Sequence, residues 1–151
     1  MNQIFNVKTY TEDFARRNKR VLHKEDNERF FSANNLGDLD GFINNLYNNQ
    51  PPYVVAISAS DEDNLSEYFS RQFYTVLILD KDEASAKAVA RSFKSKLLKD
   101  KESGVTGLTG LDITSIRSSS FGPLNDLNGI MVTFFISDGN GLEYDEEEWI
   151  E

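Results

Sequence analysis

Apolar residues follow two different periods along this chain, and the two periods alternate. Four segments carry β-branched or aromatic residues with the spacing expected of strands. They are Tyr53–Ser60, Phe73–Leu79, Leu111–Ser118 and Ile130–Ile136. Because Phe73–Leu79 is apolar on both faces near its end, we expect it to be central in a sheet. A link of roughly ten residues between the last two segments predicts that they form an antiparallel pair.

A strongly amphipathic helix is predicted between the second and third strands, over Glu83–Lys99. Asp82 is placed to cap its N-terminus, and basic residues occupy its last turns. Its apolar residues recur three or four positions apart and form one buried stripe. The stripe consists of Ala86, Val89, Ala90, Phe93 and Leu97.

Two weaker helices are predicted in the first third of the chain. Thr11 is a plausible N-cap for a polar helix from Glu12 to Lys24, which leaves residues 1–10 as an extended arm. A second, shorter helix is predicted over Leu39–Tyr47, and Pro51 and Pro52 prevent its continuation.

Together these elements predict an α/β (α+β) fold. We expect a single, mostly antiparallel sheet of about four strands, packed against two or three helices. Residues 1–142 would form one domain with an N-terminal helical arm, and residues 143–151 an acidic C-terminal tail.

Composition agrees with one ordered domain. The chain has 151 residues, of which 39% are apolar, and this is enough to build a core. It contains no cysteine, which excludes disulfides and thiolate chemistry. It also lacks a signal-peptide pattern and any apolar run approaching the roughly 20 residues that a membrane helix needs, so no membrane partner is expected.

Charge is distributed unevenly about a net value of -9. Six acids and no base lie between Glu143 and Glu151, whereas bases are concentrated between Arg16 and Lys24. Such asymmetry bears on partners rather than on fold. The basic stretch is compatible with a solvated helix face, a docking surface for an acidic segment, or nucleic-acid contact. The acidic stretch is compatible with a solvated tail or a docking peptide.

Candidate catalytic groups are sparse. Asp80 and Asp82 could together hold Mg²⁺, but capping of the following helix already explains Asp82. His23 is the only histidine and lies among bases, where no carboxylate is assured to orient it. The glycines of Ser103–Gly110 have a helix before them, which is the wrong order for a phosphate-binding loop, and predict a flexible connector. We therefore predict no catalytic, cofactor-binding or metal-binding residues and a chain that is not an enzyme.

The order of the later elements resembles that of bacteriophage tail-terminator and neck (head–tail completion) proteins. In both, a strand runs into a helix with a long apolar stripe, and two antiparallel strands then close the sheet. The last strand of the family often ends in the pattern Gly-x-x-Val-x-Phe-x-Ile. The resemblance covers residues 39–137, and the matching blocks are Tyr74–Leu79, Ala84–Leu98, Leu108–Ser120 and Gly129–Ile136.

This resemblance implies a non-enzymatic structural protein that forms a ring, usually a hexamer, at the neck or tail end of a virus particle. Its partners would be further copies of itself and other neck or tail proteins, with DNA only as cargo passing through the ring. The chain would be assembled in the host cytoplasm and located in the virion. The charged N-terminal helix and acidic tail depart from the family pattern.

Ring contacts are head-to-tail, so two different surfaces must be complementary. The hypothesis is that Arg16, Arg17 and Arg20 of one subunit receive Glu146, Glu147 and Glu148 of another, with Trp149 in an apolar pocket beside them. The alternative from another class is an acidic DNA mimic that inhibits a DNA-binding enzyme. That function requires acids spread along one face, whereas here six lie within nine residues.

Overall fold

The computed structural model describes residues 5–41, 50–59, 61–64, 66, 69–124, 126–138 and 145–150. Within them lie two α-helices, which we name α1 and α2, and six β-strands, β1 to β6. The helices are α1 (Val7–Arg17) and α2 (Glu83–Glu102). The strands are β1 (Phe30–Ala33), β2 (Tyr53–Ile57), β3 (Glu62–Asn64), β4 (Ser70–Asp80), β5 (Arg117–Leu124) and β6 (Leu127–Asp138).

The six strands form one sheet in the order β1-β2-β4-β6-β5, and β3 pairs with the beginning of β4. All pairings are antiparallel except that between β1 and β2. The predicted α+β class and the mostly antiparallel sheet are confirmed, but the sheet has six strands rather than about four. The predicted central strand lies within β4, which pairs with β2 and β3 on one side and β6 on the other.

The main core lies between one face of the sheet and both helices. Alternate residues of β4 and β6 point to this face, and Tyr74, Val76, Val132 and Phe134 are all buried there. Phe93 of α2 packs edge-on against Phe14 of α1, with ring centroids 5.1 Å apart. The same aromatic cluster therefore holds both helices to the sheet.

The opposite face of the sheet carries a smaller core. It includes Val55, Leu77 and Leu79, and the 3-10 helix Leu36–Gly41 contributes Leu39. The rest of the predicted helix Leu39–Tyr47 lies outside the described residues.

Helix α2 begins where the sequence predicts and ends three residues later than predicted. The Asp82 side chain accepts hydrogen bonds from the backbone N–H of Ala84 at 3.1 Å and from the Ser85 hydroxyl at 3.2 Å, which confirms the N-cap. The five predicted stripe residues are all buried. Gly104, at φ 75°, then takes the left-handed conformation that ends many helices.

The prediction for α1 is wrong at both ends. The N-cap is Asn6, whose side chain accepts from the backbone N–H of Thr9 at 3.0 Å, and Thr11 is instead buried in the middle of the helix. The helix ends at Arg17, because Asn18 adopts an extended backbone. Residues 7–10 are thus helical rather than part of an extended arm.

Two strands were not predicted because their residues do not alternate. Phe30 and Phe31 of β1 pack into the cores on opposite faces of the sheet. Strand β3 is polar throughout, and Asp63 forms a two-pronged ion pair with Arg71 of β4 at 2.6 and 2.8 Å. Cross-strand pairing therefore compensates for the low strand propensity of β3.

The final hairpin is antiparallel, as predicted, and β6 contains the predicted strand Ile130–Ile136, but β5 lies further along the chain than the predicted Leu111–Ser118. Leu111 makes only an isolated bridge to Ile136, and a 3-10 helix over Ile113–Ser115 precedes β5. Much of the link expected between the two predicted strands is itself strand, with an irregular register between Phe121 and Leu124. The predicted boundary between residues 142 and 143 lies outside the described residues.

Candidate functional site

The acidic C-terminal segment forms one short turn. Glu146–Glu148 make a 3-10 helix, and the Asp145 side chain accepts from the backbone N–H of Glu147 at 2.9 Å. Trp149 is 63% exposed and Ile150 fully exposed. Four carboxylates and two large apolar side chains therefore reach solvent within six residues.

The basic residues singled out on α1 have acidic neighbours on the same helix. Arg16 pairs with Glu12 at 3.0 Å and Arg17 with Asp13 at 3.2 Å, each one helical turn apart. Arg20 lies beyond the end of the helix, and its backbone N–H donates to Asn18. The positive charge of Arg16 and Arg17 is thus offset locally.

Within one chain, the structure does not bring the basic and acidic candidates together. None of the ion pairs among the described residues joins Glu146, Glu147 or Glu148 to an arginine of α1. The hypothesis of a contact between two chains therefore stays a prediction.

A polar cluster joins α1 to α2. The Tyr10 hydroxyl donates to Asp100 at 2.6 Å, and Lys96 donates to the same oxygen at 2.7 Å. The Lys96 ammonium also lies 5.0 Å from the centre of the Tyr10 ring. Burial tends to raise the pKa of Asp100, but the two hydrogen bonds outweigh it and lower the pKa below its ordinary value. Burial and the bond to Asp100 raise the pKa of Tyr10.

Two surface grooves lined by described residues flank α2. The larger, about 450 Å³, lies against α1, and its bases Arg17 and Lys96 are paired with Asp13 and Asp100. The charges of these two bases are therefore compensated. Lys99 also lines this groove.

The smaller groove, about 240 Å³, lies between α2 and β5, and we call it the basic groove. Lys87 pairs with Glu83, whereas no ion pair among the described residues includes Arg91 or Lys94. The groove is lined by Lys87, Ala90, Arg91, Lys94, Ser118, Ser119, Ser120 and Ile130. Sequence reasoning missed this site, although bases at positions 87, 91 and 94 follow the helical period and indicate a basic face.

Strand β5 forms the far wall of the basic groove and lies at one end of the strand order. Among the described strands it pairs with β6 alone. Ser118, Ser119 and Ser120 are all exposed, and the Ser118 hydroxyl accepts from the Lys94 ammonium at 2.6 Å. An edge strand of this kind offers backbone hydrogen-bonding groups to another chain.

The remaining polar candidates have structural roles. Asp82 caps α2, and Asp80 is largely buried at the end of β4, where burial raises its pKa. His23 is not simply solvated: its Nδ1 accepts from the backbone N–H groups of Arg29 and Phe30 at 2.9 and 3.1 Å. No group of three or more His, Cys, Asp or Glu in the described ranges is arranged to hold a metal ion.

Neither helix in the described part of the chain has the length and hydropathy needed to cross a membrane. A scan against models of known protein families gave no match to this sequence, and a search of curated proteins gave none either. The function of this chain is therefore inferred from its surfaces.

Proposed function

We propose that this chain is a non-enzymatic structural protein that assembles head-to-tail into a ring at the neck or tail end of a bacteriophage particle. Its partners would be further copies of itself, in a hexameric ring, and other neck or tail proteins. The observation that carries this proposal is the exposed segment 145–150, which joins four carboxylates to Trp149 and Ile150. Trp149 keeps 63% of its surface exposed, and buried Trp anchors dominate many protein interfaces.

The order of elements supports the same proposal. Strand β4 leads into α2, and β5 and β6 then close the sheet as an antiparallel pair. This is the arrangement on which the resemblance to tail-terminator and neck proteins rests. A ring of this kind would lie in the virion, with DNA passing through it as cargo.

Different parts of the segment would contribute differently to assembly. An exposed ion pair contributes roughly 0.2–1 kcal/mol. A buried aromatic anchor commonly contributes about 2 kcal/mol or more. We therefore expect Trp149 to supply most of the affinity and the carboxylates to supply orientation and specificity.

Truncation after Gly141 tests the proposal. The truncated chain should be monomeric under conditions in which the full chain forms rings, as measured by sedimentation and electron microscopy. Trp149→Ser should weaken assembly more than combined replacement of Glu146, Glu147 and Glu148 by Gln. Assembly that survives truncation would remove the segment from the mechanism. A full chain that stays monomeric both in concentrated solution and in isolated particles would end the proposal.

A further inference from the structure

We infer that the basic groove between α2 and β5 is the surface that receives the acidic segment 145–150 of a second copy of this chain. This inference rests on the proposed head-to-tail assembly and names the receiving surface within it. It differs from the contact suggested by the sequence, in which Arg16, Arg17 and Arg20 were the receiving residues.

Charge complementarity favours the groove over the arginines of α1. Arg16 and Arg17 already have carboxylate partners one helical turn away. In the described part of the chain, Arg91 and Lys94 take part in no ion pair, and both line the groove. An incoming carboxylate would therefore meet charge that has not been offset on the same helix.

The shape of the groove suits a short peptide. Its bases at positions 87, 91 and 94 form a row about 10 Å long, since a helix rises about 1.5 Å per residue. The acids Asp145 to Glu148 lie in a 3-10 turn, which rises about 2 Å per residue, so they span about 6 Å. They can therefore face two neighbouring bases of the row at a time.

The groove also offers contacts besides charge. Strand β5 presents Ser118–Ser120, where an added chain could form backbone hydrogen bonds. Ala90 and Ile130 supply apolar atoms at the base of the groove. Arg91 is exposed beside them, and a guanidinium attracts the face of an indole. Trp149 follows directly after the acidic run, so it could reach this part of the groove.

The occupant is a second copy rather than the segment's own chain. In this structure all six residues of the segment are exposed. No ion pair between described residues connects the segment to α2. Because the groove and the segment are different surfaces of one chain, their contact is heterologous, and it closes into a ring if the rotation permits.

A charge swap in the full-length chain tests the inference. Arg91→Glu with Lys94→Glu should raise the apparent dissociation constant for self-association about tenfold or more, because two attractions become repulsions. Glu147→Lys with Glu148→Lys should do the same. All four changes together should restore association, which also shows that the variant surfaces are folded. Added salt should weaken wild-type association.

Arg16→Glu with Arg17→Glu is the matched control, since it makes the same charge change on the neighbouring helix. It should leave association within about twofold of wild type. If the full chain associates but the groove reversal has no effect, or the four changes do not restore association, the inference is wrong and the proposed ring can still stand. If the wild-type chain never associates, in solution or in particles, both fail.

Discussion

His23 shows how one side chain can serve the fold through its uncharged state. Its Nδ1 accepts two backbone N–H groups, so this nitrogen carries no proton in the native structure. Burial lowers the pKa of His23 below its ordinary value of 6.5, and Arg16 acts in the same direction, whereas Glu12 and Glu28 oppose them. The imidazole therefore fixes the start of β1 rather than acting as a base.

The stability of the protein should fall as pH drops below about 6.5. The unfolded chain then binds a proton at His23 while the folded chain does not, so protonation favours unfolding until the lower native pKa is reached. His23→Asn keeps an acceptor at a similar position and should flatten this part of the curve. Urea unfolding at about pH 7.5 and pH 5.5 measures both chains. An equal pH dependence in the two would contradict this role.

Gly110 and Gly104 both lie in the connector Ser103–Gly110, and each position requires glycine for a different reason. A Cβ on Gly110 would lie 1.9 Å from the backbone oxygen of Ser137, whereas one on Gly104 would meet no atom within 4 Å. Gly104 instead requires its positive φ of 75°. The connector predicted to be flexible thus contains a position of close backbone packing against β6.

Gly110→Ala should lower the free energy of unfolding by about 2–3 kcal/mol, since backbone must move to admit the methyl group. Gly104→Ala, in which only the left-handed backbone is disfavoured, should cost about 1 kcal/mol. Thermal and urea unfolding compare the two directly. Equal losses would show that the approach of Gly110 to β6 is not tight.

At the level of elements, the contact between α1 and α2 depends on the Asp100 cluster as well as on aromatic packing. Asp100 accepts from Tyr10 and Lys96 at one oxygen, and its side chain is only 17% exposed. The Lys96–Asp100 pair is thus more shielded from solvent than the Arg16–Glu12 pair, whose side chains are 50% and 37% exposed.

Tyr10→Phe should therefore lower the free energy of unfolding by about 1–2 kcal/mol, because it removes a hydrogen bond to a charged group. Glu12→Gln, which weakens the exposed pair on the same helix, should change it by about 0.5 kcal/mol or less. A double-mutant cycle between Tyr10→Phe and Asp100→Asn should give a clear coupling free energy. A coupling free energy of zero would mean that the Tyr10 hydroxyl does not stabilise the fold through Asp100.

Sequence patterns predicted the helix that buries a regular apolar stripe and the strands whose apolar residues are buried in the sheet. The cap and stripe of α2 and the apolar strands β2, β4 and β6 could be placed because their residues repeat at the helix or strand period. Strand β3 could not, since Asp63 is held by Arg71 from another strand rather than by its own propensity. The start of α1 was missed because Asn6 rather than Thr11 supplies the cap.

At the scale of the whole molecule, the candidate surfaces were only partly visible in the sequence. The acidic segment and the bases of α1 are runs of charge that can be read directly. Whether the charge of a base is already neutralised depends on the geometry of its helix. Arg16 lies one turn from Glu12 and pairs with it, whereas Arg91 lines the groove beside β5. The sequence contains no sign that Ser118–Ser120 and α2 lie side by side, because their proximity arises from the order of strands in the sheet.

The long pairing of β4 with β6 has a mechanical consequence. Eleven consecutive residues of β4 lie opposite eleven of β6, without a break in register. A pull along the strand axis would load these backbone hydrogen bonds together, because they run perpendicular to the strands. A pull across the sheet would open them one after another. The domain should accordingly be stiff along one direction and much weaker along the other.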